Sequence, residues 1–270
     1  MTSGYQAAEQ VPERLRTVQV TRYVTPLREG GSLPAIVEAD DEGLYVLKFR
    51  GAGQGLKALI AELVVGEIGR TLGLLVPELV LADLDPVLAR SEPDPEIQEL
   101  IRASAGLNLA LDYLPGALNF EAGARPVPDP HLASTIVWFD AFAMNVDRTP
   151  RNPNMLLWHH NLWLIDHGAA IYFHHNWQSN HNRAAQPFAP IRDHVLLPQA
   201  SALADLDAQL AEALTPERLH HILSLVPDEW LAPEPAFDTP EALREAYVAF
   251  LLARLESPRR WVQEAIDGRA

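Results

Sequence analysis

Residues 142–157 read FAMNVDRTPRNPNMLL, and nine residues later the chain continues with Asp166-His167-Gly168. The pattern predicts an apolar helix, a polar loop that carries an Asp and then Asn, a pair of strands, and a second Asp where the second strand ends. Phosphoryl transfer uses groups in this order, since a carboxylate orients the attacking hydroxyl, and an amide oxygen with a second carboxylate holds Mg²⁺. The stretch therefore predicts chemistry on a phosphoryl group.

The composition indicates an acidic globular protein. Of the 270 residues, 48% are apolar and 21% are charged, which excludes a chain that is disordered throughout. The 36 acidic and 21 basic residues give a formal net charge of −15, and such a surface repels nucleic acid and anionic lipid headgroups. The chain has no cysteine, so disulfides, thiol catalysis and thiolate metal sites are excluded.

The N-terminal sequence gives no indication of export. Residues 1–10, MTSGYQAAEQ, combine neither a basic start nor an apolar core. No apolar run approaches the roughly 20 residues that a bilayer requires. We therefore expect a cytoplasmic protein with no membrane span and no nucleic acid partner.

The order of the predicted elements indicates an α+β fold in two lobes. Residues 1–16 are polar and predict a flexible N-terminus. Strands are predicted near residues 18–24, 35–39, 44–50, 77–84 and 107–114, and one long helix near residues 56–72. After Pro115-Gly116 the sequence predicts mostly helices. We expect an N-terminal lobe of antiparallel strands with one long helix, residues 17–115, and a mainly helical C-terminal lobe, residues 116–270.

Lys48 lies inside the apolar strand YVLKF, residues 45–49, on the same face as Val46. A lone lysine in a strand more often extends its amine to solvent. Here the next helix carries Glu62 and Glu67, and a Lys–Glu pair between a third strand and the following helix aims an ammonium at nucleotide phosphates. We expect Glu62 to be the partner because it lies one turn after the helix start, whereas Glu67 also fits a solvated position.

Two glycine-rich segments could let the backbone approach a phosphate. Gly30-Gly31-Ser32 lies between two predicted strands, where backbone N–H groups can reach phosphate oxygens. The alternative is an ordinary hairpin turn. The segment of residues 51–55, GAGQG, is a second candidate that also fits a flexible connection from strand to helix. We take Gly30, Gly31 and Ser32 as the candidate nucleotide-binding residues.

Asp147 and Asp166 are the candidate catalytic and metal-binding acids. Asp147 follows a predicted helix, and the helix dipole disfavours a carboxylate at that end unless a cation compensates. Arg148 and Arg151 are the nearest cations in the sequence. Asp166 ends an apolar strand, where a carboxylate needs a partner such as Mg²⁺.

Two asparagines compete for the role of metal ligand. Asn152 comes five residues after Asp147, as in the catalytic loop of kinases, whereas Asn154 directly precedes the apolar Met155-Leu156, as a metal-binding Asn usually does. The sequence leaves both open. The alternative for the whole loop is a structural one, in which the Asn and Pro residues form turns.

A histidine-rich tract, residues 174–181 (HHNWQSNH), follows the second acid. Zinc binding is one interpretation of such a tract. Adjacent histidines on irregular structure more often belong to a surface or substrate loop. The position of the tract favours a segment that faces the substrate.

Taken in order, these features resemble the HipA-like kinase family over about residues 17–200. The resemblance rests on Lys48, Glu62, the hinge-like segment of residues 110–116, Asp147 with Asn152 or Asn154, and Asp166. The catalytic loop is also similar to that of type II phosphatidylinositol 4-kinases, whose Asn-Thr-Asp-Arg corresponds to Asn145-Val146-Asp147-Arg148.

This resemblance implies a two-lobed protein-kinase-like fold and phosphorylation of a hydroxyl, on a protein Ser/Thr or a small molecule, with ATP and Mg²⁺. It implies that Asp147 is the catalytic base, that Lys48 contacts phosphates with support from Glu62, and that Asp166 and an Asn bind Mg²⁺. The implied nucleotide contacts in the hinge-like segment are Asp112, Tyr113 and Leu114.

The chain also departs from the family pattern. Its loop has two candidate asparagines, and Asp166-His167-Gly168 replaces the more usual residues after the metal-binding acid. We also expect no counterpart of the extra N-terminal domain of the longer HipA toxins. The resemblance is therefore not a sufficient basis for assigning toxin activity or an antitoxin partner to this chain.

Two classes of function remain at this stage. The first is an active kinase, and the second is a catalytically silent module that kept the fold and binds a nucleotide or a partner. The sequence retains all four charged positions, and a silent module has no need of two desolvated acids. The sequence therefore favours the active kinase.

Overall fold

The computed structural model describes residues 11–27, 33–53, 55–123, 127–177 and 183–269. The strands are β1 (Thr17–Pro26), β2 (Ala35–Ala39), β3 (Leu44–Lys48), β4 (Leu79–Leu84), β5 (Gly106–Asp112), β6 (Leu118–Asn119), β7 (Met155–Trp158) and β8 (Asn161–Leu164). The helices are α1 (Leu56–Thr71), α2 (Pro95–Ala103), α3 (Pro130–Ala143), α4 (Leu203–Ala213), α5 (Pro216–Ser224), α6 (Asp228–Leu231), α7 (Pro240–Leu255) and α8 (Arg260–Arg269). The strands and the long helix predicted before residue 115 are all present.

The first five strands form one sheet that closes on itself in the order β1-β2-β3-β5-β4. Four of its strand pairs are antiparallel, but residues 17–19 of β1 run parallel to residues 81–83 of β4. The expectation of a purely antiparallel sheet is wrong at this pair. β2 pairs with β1 from Val20 onward, and the parallel pairing of residues 17–19 with residues 81–83 of β4 closes the barrel.

The long helix α1 is buried on nearly all sides. It ends where Gly73 adopts a φ of 78° and the Leu74 N–H donates to the Gly69 carbonyl over 3.0 Å, which is a Schellman motif. Gly69 also lets α1 approach α3, because a Cβ there would lie 3.3 Å from the Phe139 ring. This packing fixes the orientation of the helix that carries Glu62.

Helices of the C-terminal half cover α1. Helix α1 packs against α5 and α6. The Arg50 guanidinium lies 2.9 Å from Glu229 Oε1, and the Trp230 indole N–H donates to the Leu107 carbonyl over 3.2 Å. The apolar side chains of α1 therefore share one hydrophobic core with the C-terminal helices, while the interior of the barrel packs separately against α2.

Helix α3 leads into the loop that the sequence marks as catalytic. Asp129 caps its start by accepting backbone N–H groups of the first turn. Most of its side chains are buried, including the carboxylate of Asp140. The helix ends at Ala143 because Met144 adopts a left-handed conformation, with a φ of 54°.

Strands β6, β7 and β8 form a second sheet. The β7–β8 hairpin turns at His159 and His160, which both have positive φ, as a two-residue type I′ turn requires. Since the two strands are antiparallel, Asn154 just before β7 and Asp166 just after β8 lie at the same end of the hairpin.

The boundary predicted at residues 115–116 lies between β5 and β6. The division into lobes at this boundary stays a prediction. The longest helices that the structure describes, α1 and α7, have 16 residues each. None of the described helices combines the length and the apolar character that crossing a bilayer requires.

Candidate active site

Lys48, Glu62 and Asp166 meet at the end of β3. Lys48 Nζ lies 2.6 Å from Asp166 Oδ1 and 3.4 Å from Glu62 Oε2. The Glu62 side chain is 1% exposed, whereas that of Asp166 is 39% exposed. Glu67 lies elsewhere, with its Oε1 3.7 Å from Arg70 Nε. The structure thus brings the strand lysine, the expected helix glutamate and the second acid together.

Opposite charges control the ionisation of this group. Burial disfavours the charged form of Lys48, but Glu62 and Asp166 more than offset it and raise the pKa of Lys48. Burial also disfavours the Glu62 carboxylate, yet the Lys48 ammonium and contacts with His167 hold the pKa of Glu62 below its ordinary value. Lys48 and Glu62 are therefore both charged at neutral pH.

We expect Glu62→Gln to destabilise the protein chiefly at neutral pH. The pKa of Glu62 is lower in the folded than in the unfolded chain, so its contribution is complete above the ordinary glutamate pKa, about 4.3, and is lost as the pH falls further. At pH 7 the free energy of unfolding should fall by the lower end of about 3–5 kcal/mol, because Lys48 keeps Asp166 as a partner.

Urea unfolding at about pH 7 and about pH 3.5 measures this difference. The advantage of the wild type over Glu62→Gln should shrink at the lower pH. An advantage that grows on acidification would contradict the ion pair.

Asp166 and His167 connect β8 to α1. Asp166 has a φ of 57°, a conformation that Asp tolerates better than most residues. The His167 N–H donates to Glu62 Oε2 over 2.9 Å, and the buried His167 ring packs edge-on against Phe139. The residue that departs from the family pattern thus joins the second acid to the glutamate of α1.

Asp147 lies among amide groups. Its Oδ2 accepts hydrogen bonds from Asn152 Nδ2 at 2.8 Å and from Asn154 Nδ2 at 3.3 Å. Its backbone N–H donates to Asn145 Oδ1 over 3.1 Å, which forms an Asx turn. Asn154 Nδ2 also lies 3.5 Å from the Asp166 carbonyl oxygen. Asn154 is therefore the side chain that lies between the two acids.

Asp166 and Asn154 carry oxygens that could hold a divalent cation. Within the described part of the chain, Asp166 Oδ2 and Asn154 Oδ1 accept no hydrogen bond. Carboxylate and amide oxygens suit Mg²⁺. The described residues include no group of three or more His, Asp or Glu side chains that could hold a metal. A cation at Asp166 and Asn154 would therefore need further oxygens from phosphate or water.

The expected compensation of Asp147 by neighbouring arginines is wrong for Arg148. Its guanidinium is buried, donates from Nε to Asp140 Oδ2 over 2.6 Å and donates from Nη1 to the Asn154 carbonyl. Arg151 is exposed at the tip of a tight turn and forms no ion pair with the described residues. Amide groups, rather than guanidinium groups, stabilise the Asp147 carboxylate.

A buried network that the sequence reasoning missed lies beneath the loop. It is centred on Asp140, which accepts hydrogen bonds from Asn145, Arg148 and His194. Burial alone would raise the pKa of Asp140, but Arg148 and His194 hold it well below its usual range. An available indication was the charge inside the apolar run IVWFDAFA, residues 136–143, because a buried carboxylate needs partners.

Two predicted segments lie wholly or partly outside the described residues. They are the candidate phosphate contacts Gly30, Gly31 and Ser32, and residues 178–181 of the histidine-rich tract. Within the described part of the tract, the His174 ring is buried, and its Nδ1 lies 2.9 Å from the Tyr247 hydroxyl. Lys57 Nζ donates to the His174 carbonyl over 2.7 Å. His174 is therefore part of the packed interior.

The hinge-like segment, residues 110–116, begins in the last residues of β5 and continues beyond the strand. The Asp112 N–H donates to the Glu78 carbonyl, and the Tyr113 N–H donates to the Leu44 carbonyl. Leu114 N–H has no partner among the described residues. Together with Trp158 and Trp163, Asp112 and Leu114 line a cavity of about 420 Å³. The lining of this cavity includes these two expected nucleotide contacts but neither of the candidate acids, Asp147 and Asp166.

The family model described as HipA-like kinase matches residues 20–264 of the chain. The match includes every candidate residue named above, from the glycine-rich turn to the second acid. No curated protein matches the chain.

Among solved structures, the chain is similar to the Helicobacter pylori proinflammatory kinase CtkA, with a TM-score of 0.55 and 14% identity over 93% of this chain and 98% of that chain. The Golgi casein kinase gives a TM-score of 0.47 with 12% identity, covering 94% and 72%, and its Mn/ADP-bound structure gives 0.40 with 11% identity, covering 92% and 74%. The likeness to CtkA confirms a kinase-like α+β fold, and the two lower scores add nothing to it.

Proposed function

The chain belongs to the family of HipA-like kinases, and we propose that it is an active kinase that transfers the γ-phosphoryl group of ATP to a hydroxyl, with Mg²⁺ as cofactor. One observation carries the proposal: Lys48 of β3 bonds to Asp166, and Asn154 lies between Asp166 and Asp147. Phosphoryl transfer requires such a cation, base and set of metal ligands at one place.

Asp147 orients the acceptor hydroxyl and takes its proton. Asn152 and Asn154 hold the carboxylate through Oδ2, which leaves Oδ1 for the acceptor. Asn145 fixes the backbone of the same residue. The proton passes from the acceptor oxygen to Asp147 Oδ1, the bond between that oxygen and the γ-phosphorus forms, and the bond from the γ-phosphorus to the bridging oxygen of ATP breaks, so that ADP leaves.

Lys48 contacts the phosphate oxygens, and Glu62 keeps its ammonium charged and in place. Asp166 and Asn154 are the proposed ligands of Mg²⁺. When bound, this ion would supply positive charge that neutralises the charge developing on the nucleotide phosphates. Asn152 is exposed and, within the described residues, bonds to Asp147 but not to Asp166. This difference favours Asn154 as the amide ligand.

The nucleotide contacts are proposed in the hinge-like segment and the glycine-rich turn. In the hinge-like segment, the N–H groups of Asp112 and Tyr113 already bond within the protein, so the N–H of Leu114 is the group that can bind the nucleotide base. Gly30-Gly31-Ser32 is the proposed phosphate contact.

We expect ATP with Mg²⁺ to raise the melting temperature of the protein. A ligand that binds only the folded state stabilises it by roughly 2.7 kcal/mol at a hundredfold excess over its dissociation constant. Scanning fluorimetry with ATP and Mg²⁺, ATP and EDTA, and Mg²⁺ alone measures the effect. Only the first mixture should give the full shift, and no shift at millimolar nucleotide would overturn the nucleotide-binding role.

The acceptor is a protein Ser/Thr or a small hydroxyl compound. The alternative function, a silent module that binds a nucleotide or a partner, predicts the same thermal shift without turnover. Incubation with ATP and Mg²⁺, followed by mass spectrometry of the protein and of lysate components, separates the two. New phosphate on a hydroxyl supports the kinase, and ATP binding without ATP consumption supports the silent module.

A further inference from the structure

Asp140 is a carboxylate in the last turn of helix α3 with no access to solvent. Its Oδ1 accepts from Asn145 Nδ2 at 2.8 Å, and its Oδ2 accepts from Arg148 Nε at 2.6 Å and from His194 Nε2 at 2.9 Å. The Leu196 N–H donates to His194 Nδ1 over 3.0 Å, so the proton of the neutral imidazole lies on Nε2 and points at the carboxylate. Every donor around Asp140 is therefore fixed in direction.

The first arm of this network runs from Asp140 through Asn145 to the catalytic base. Asn145 Nδ2 donates a hydrogen bond to Asp140 Oδ1, and Asn145 Oδ1 accepts one from the Asp147 N–H over 3.1 Å. The Asn145 N–H also bonds to the Asp140 carbonyl over 2.9 Å. The backbone of Asp147 is thus positioned by a side chain that is itself anchored on α3.

The second arm runs from Asp140 through Arg148 to the metal loop. The planar guanidinium bonds to Asp140 with Nε and to the Asn154 carbonyl with Nη1. Nη1 also lies 3.4 Å from the Pro153 carbonyl oxygen. This arm sets the backbone of Asn154, whose φ is 48°, and so determines where its side-chain oxygen points.

We propose that Asp140 is a positioning residue whose two arms act on different steps: Asn145 places the base Asp147, and Arg148 places the metal ligand Asn154. This inference rests on the proposed kinase function and goes beyond it by separating the two arms. None of the three positioning residues touches the substrates. If the network had only a structural role, a substitution in either arm would change the stability of the protein without a separate effect on kcat or on the affinity for Mg²⁺.

The first arm is tested with Asn145→Ala and the conservative Asn145→Ser. Alanine removes the acceptor for the Asp147 N–H, and serine can still accept it in the equivalent turn. For Asn145→Ala we expect kcat to fall by about 10–100-fold with the affinity for Mg²⁺ unchanged, since small displacements of a reacting group have effects of this size. Asn145→Ser should recover part of the loss. Hydrogen exchange at the Asp147 amide, measured without nucleotide, should be fastest in Asn145→Ala, slower in Asn145→Ser and slowest in the wild type.

The second arm is tested with Arg148→Lys. Lysine keeps the positive charge beside Asp140 but lacks the planar fork that reaches Asp140 and Asn154 together. We expect the affinity for Mg²⁺, measured calorimetrically with a non-hydrolysable ATP analogue, to fall by about 10–100-fold, as it does when an outer-shell partner of a metal ligand is lost. At saturating Mg²⁺, kcat should return to near the wild-type value.

Arg259→Lys is the matched control, because Arg259 makes a bidentate pair with Asp207 and, among the described residues, forms no hydrogen bond with Asp140, Asn145 or Arg148. It should lower the melting temperature without changing kcat or the affinity for Mg²⁺. The proposal fails if Asn145→Ala and Arg148→Lys change kcat and Mg²⁺ affinity in the same proportion, or if both behave like Arg259→Lys. If nucleotide binding or turnover is absent in the wild type, the proposed function fails instead, and hydrogen exchange at Asp147 still tests the first arm.

Discussion

Asp147→Asn should lower turnover by about 10²–10⁴-fold while the protein still folds and binds ATP with Mg²⁺. The amide oxygen can accept the hydrogen bonds of Asn152 and Asn154, so the loop keeps its geometry. An amide cannot take the proton of the acceptor hydroxyl, however, and it orients that hydroxyl less strongly than a carboxylate does. Activity should therefore be lost without loss of the binding site.

Turnover of ATP and the thermal shift with ATP and Mg²⁺ measure the two halves of this expectation. Circular dichroism of the variant checks that the fold is intact. Wild-type turnover by a folded Asp147→Asn variant would show that the loop does not carry the catalytic base, and the partner-binding function would then be the better interpretation.

Asp166→Asn should instead weaken the binding of ATP in the presence of Mg²⁺. Asp166 contributes the proposed carboxylate ligand. Loss of an outer-shell partner lowers metal affinity by about 10–100-fold, and loss of a direct ligand should lower it further. Without metal, the variant should lose less than about 1 kcal/mol of stability. The carboxylate is 39% exposed, and Lys48 keeps Glu62 as its partner.

Calorimetric titration of the non-hydrolysable analogue with and without Mg²⁺ separates these effects. The variant and the wild type should bind the analogue similarly in EDTA and differ only when Mg²⁺ is added. Equal affinity of the two proteins in Mg²⁺ would remove Asp166 from the proposed metal site. Asp147→Asn serves as the control for a change of charge in the same site.

The strands, the long helix and the order of the polar groups could be predicted because they depend on neighbours in the sequence. The pair of Lys48 and Glu62 could be anticipated for the same reason, since a strand and the helix after it pack together. The closure of the barrel could not. It depends on residues 17–19 meeting residues 81–83, and nothing in the local pattern of β1 indicates a parallel partner 64 residues away.

The role of Arg148 was misjudged because adjacency in sequence was taken for adjacency in space. Arg148 follows Asp147 directly, yet its side chain turns inward to Asp140, eight residues earlier on α3. A buried charge in an apolar helix demands a partner, and that demand outweighs compensation of a partly exposed carboxylate. The candidate acids themselves were found because their spacing belongs to a catalytic loop, whereas the residues that position them have no such pattern.

The burial of α1 under α5 and α6 has an evolutionary consequence. The helix that carries Glu62 packs into the core of the C-terminal half, and Trp230 reaches back to the Leu107 carbonyl. A recombination point near residue 115 would separate α1 from the helices that cover it, so we expect that residues 17–115 cannot be exchanged between relatives as an independent module. We expect substitutions at the buried positions of α1 to require compensating substitutions on α5 and α6, which would tie the evolution of the two parts of the chain together.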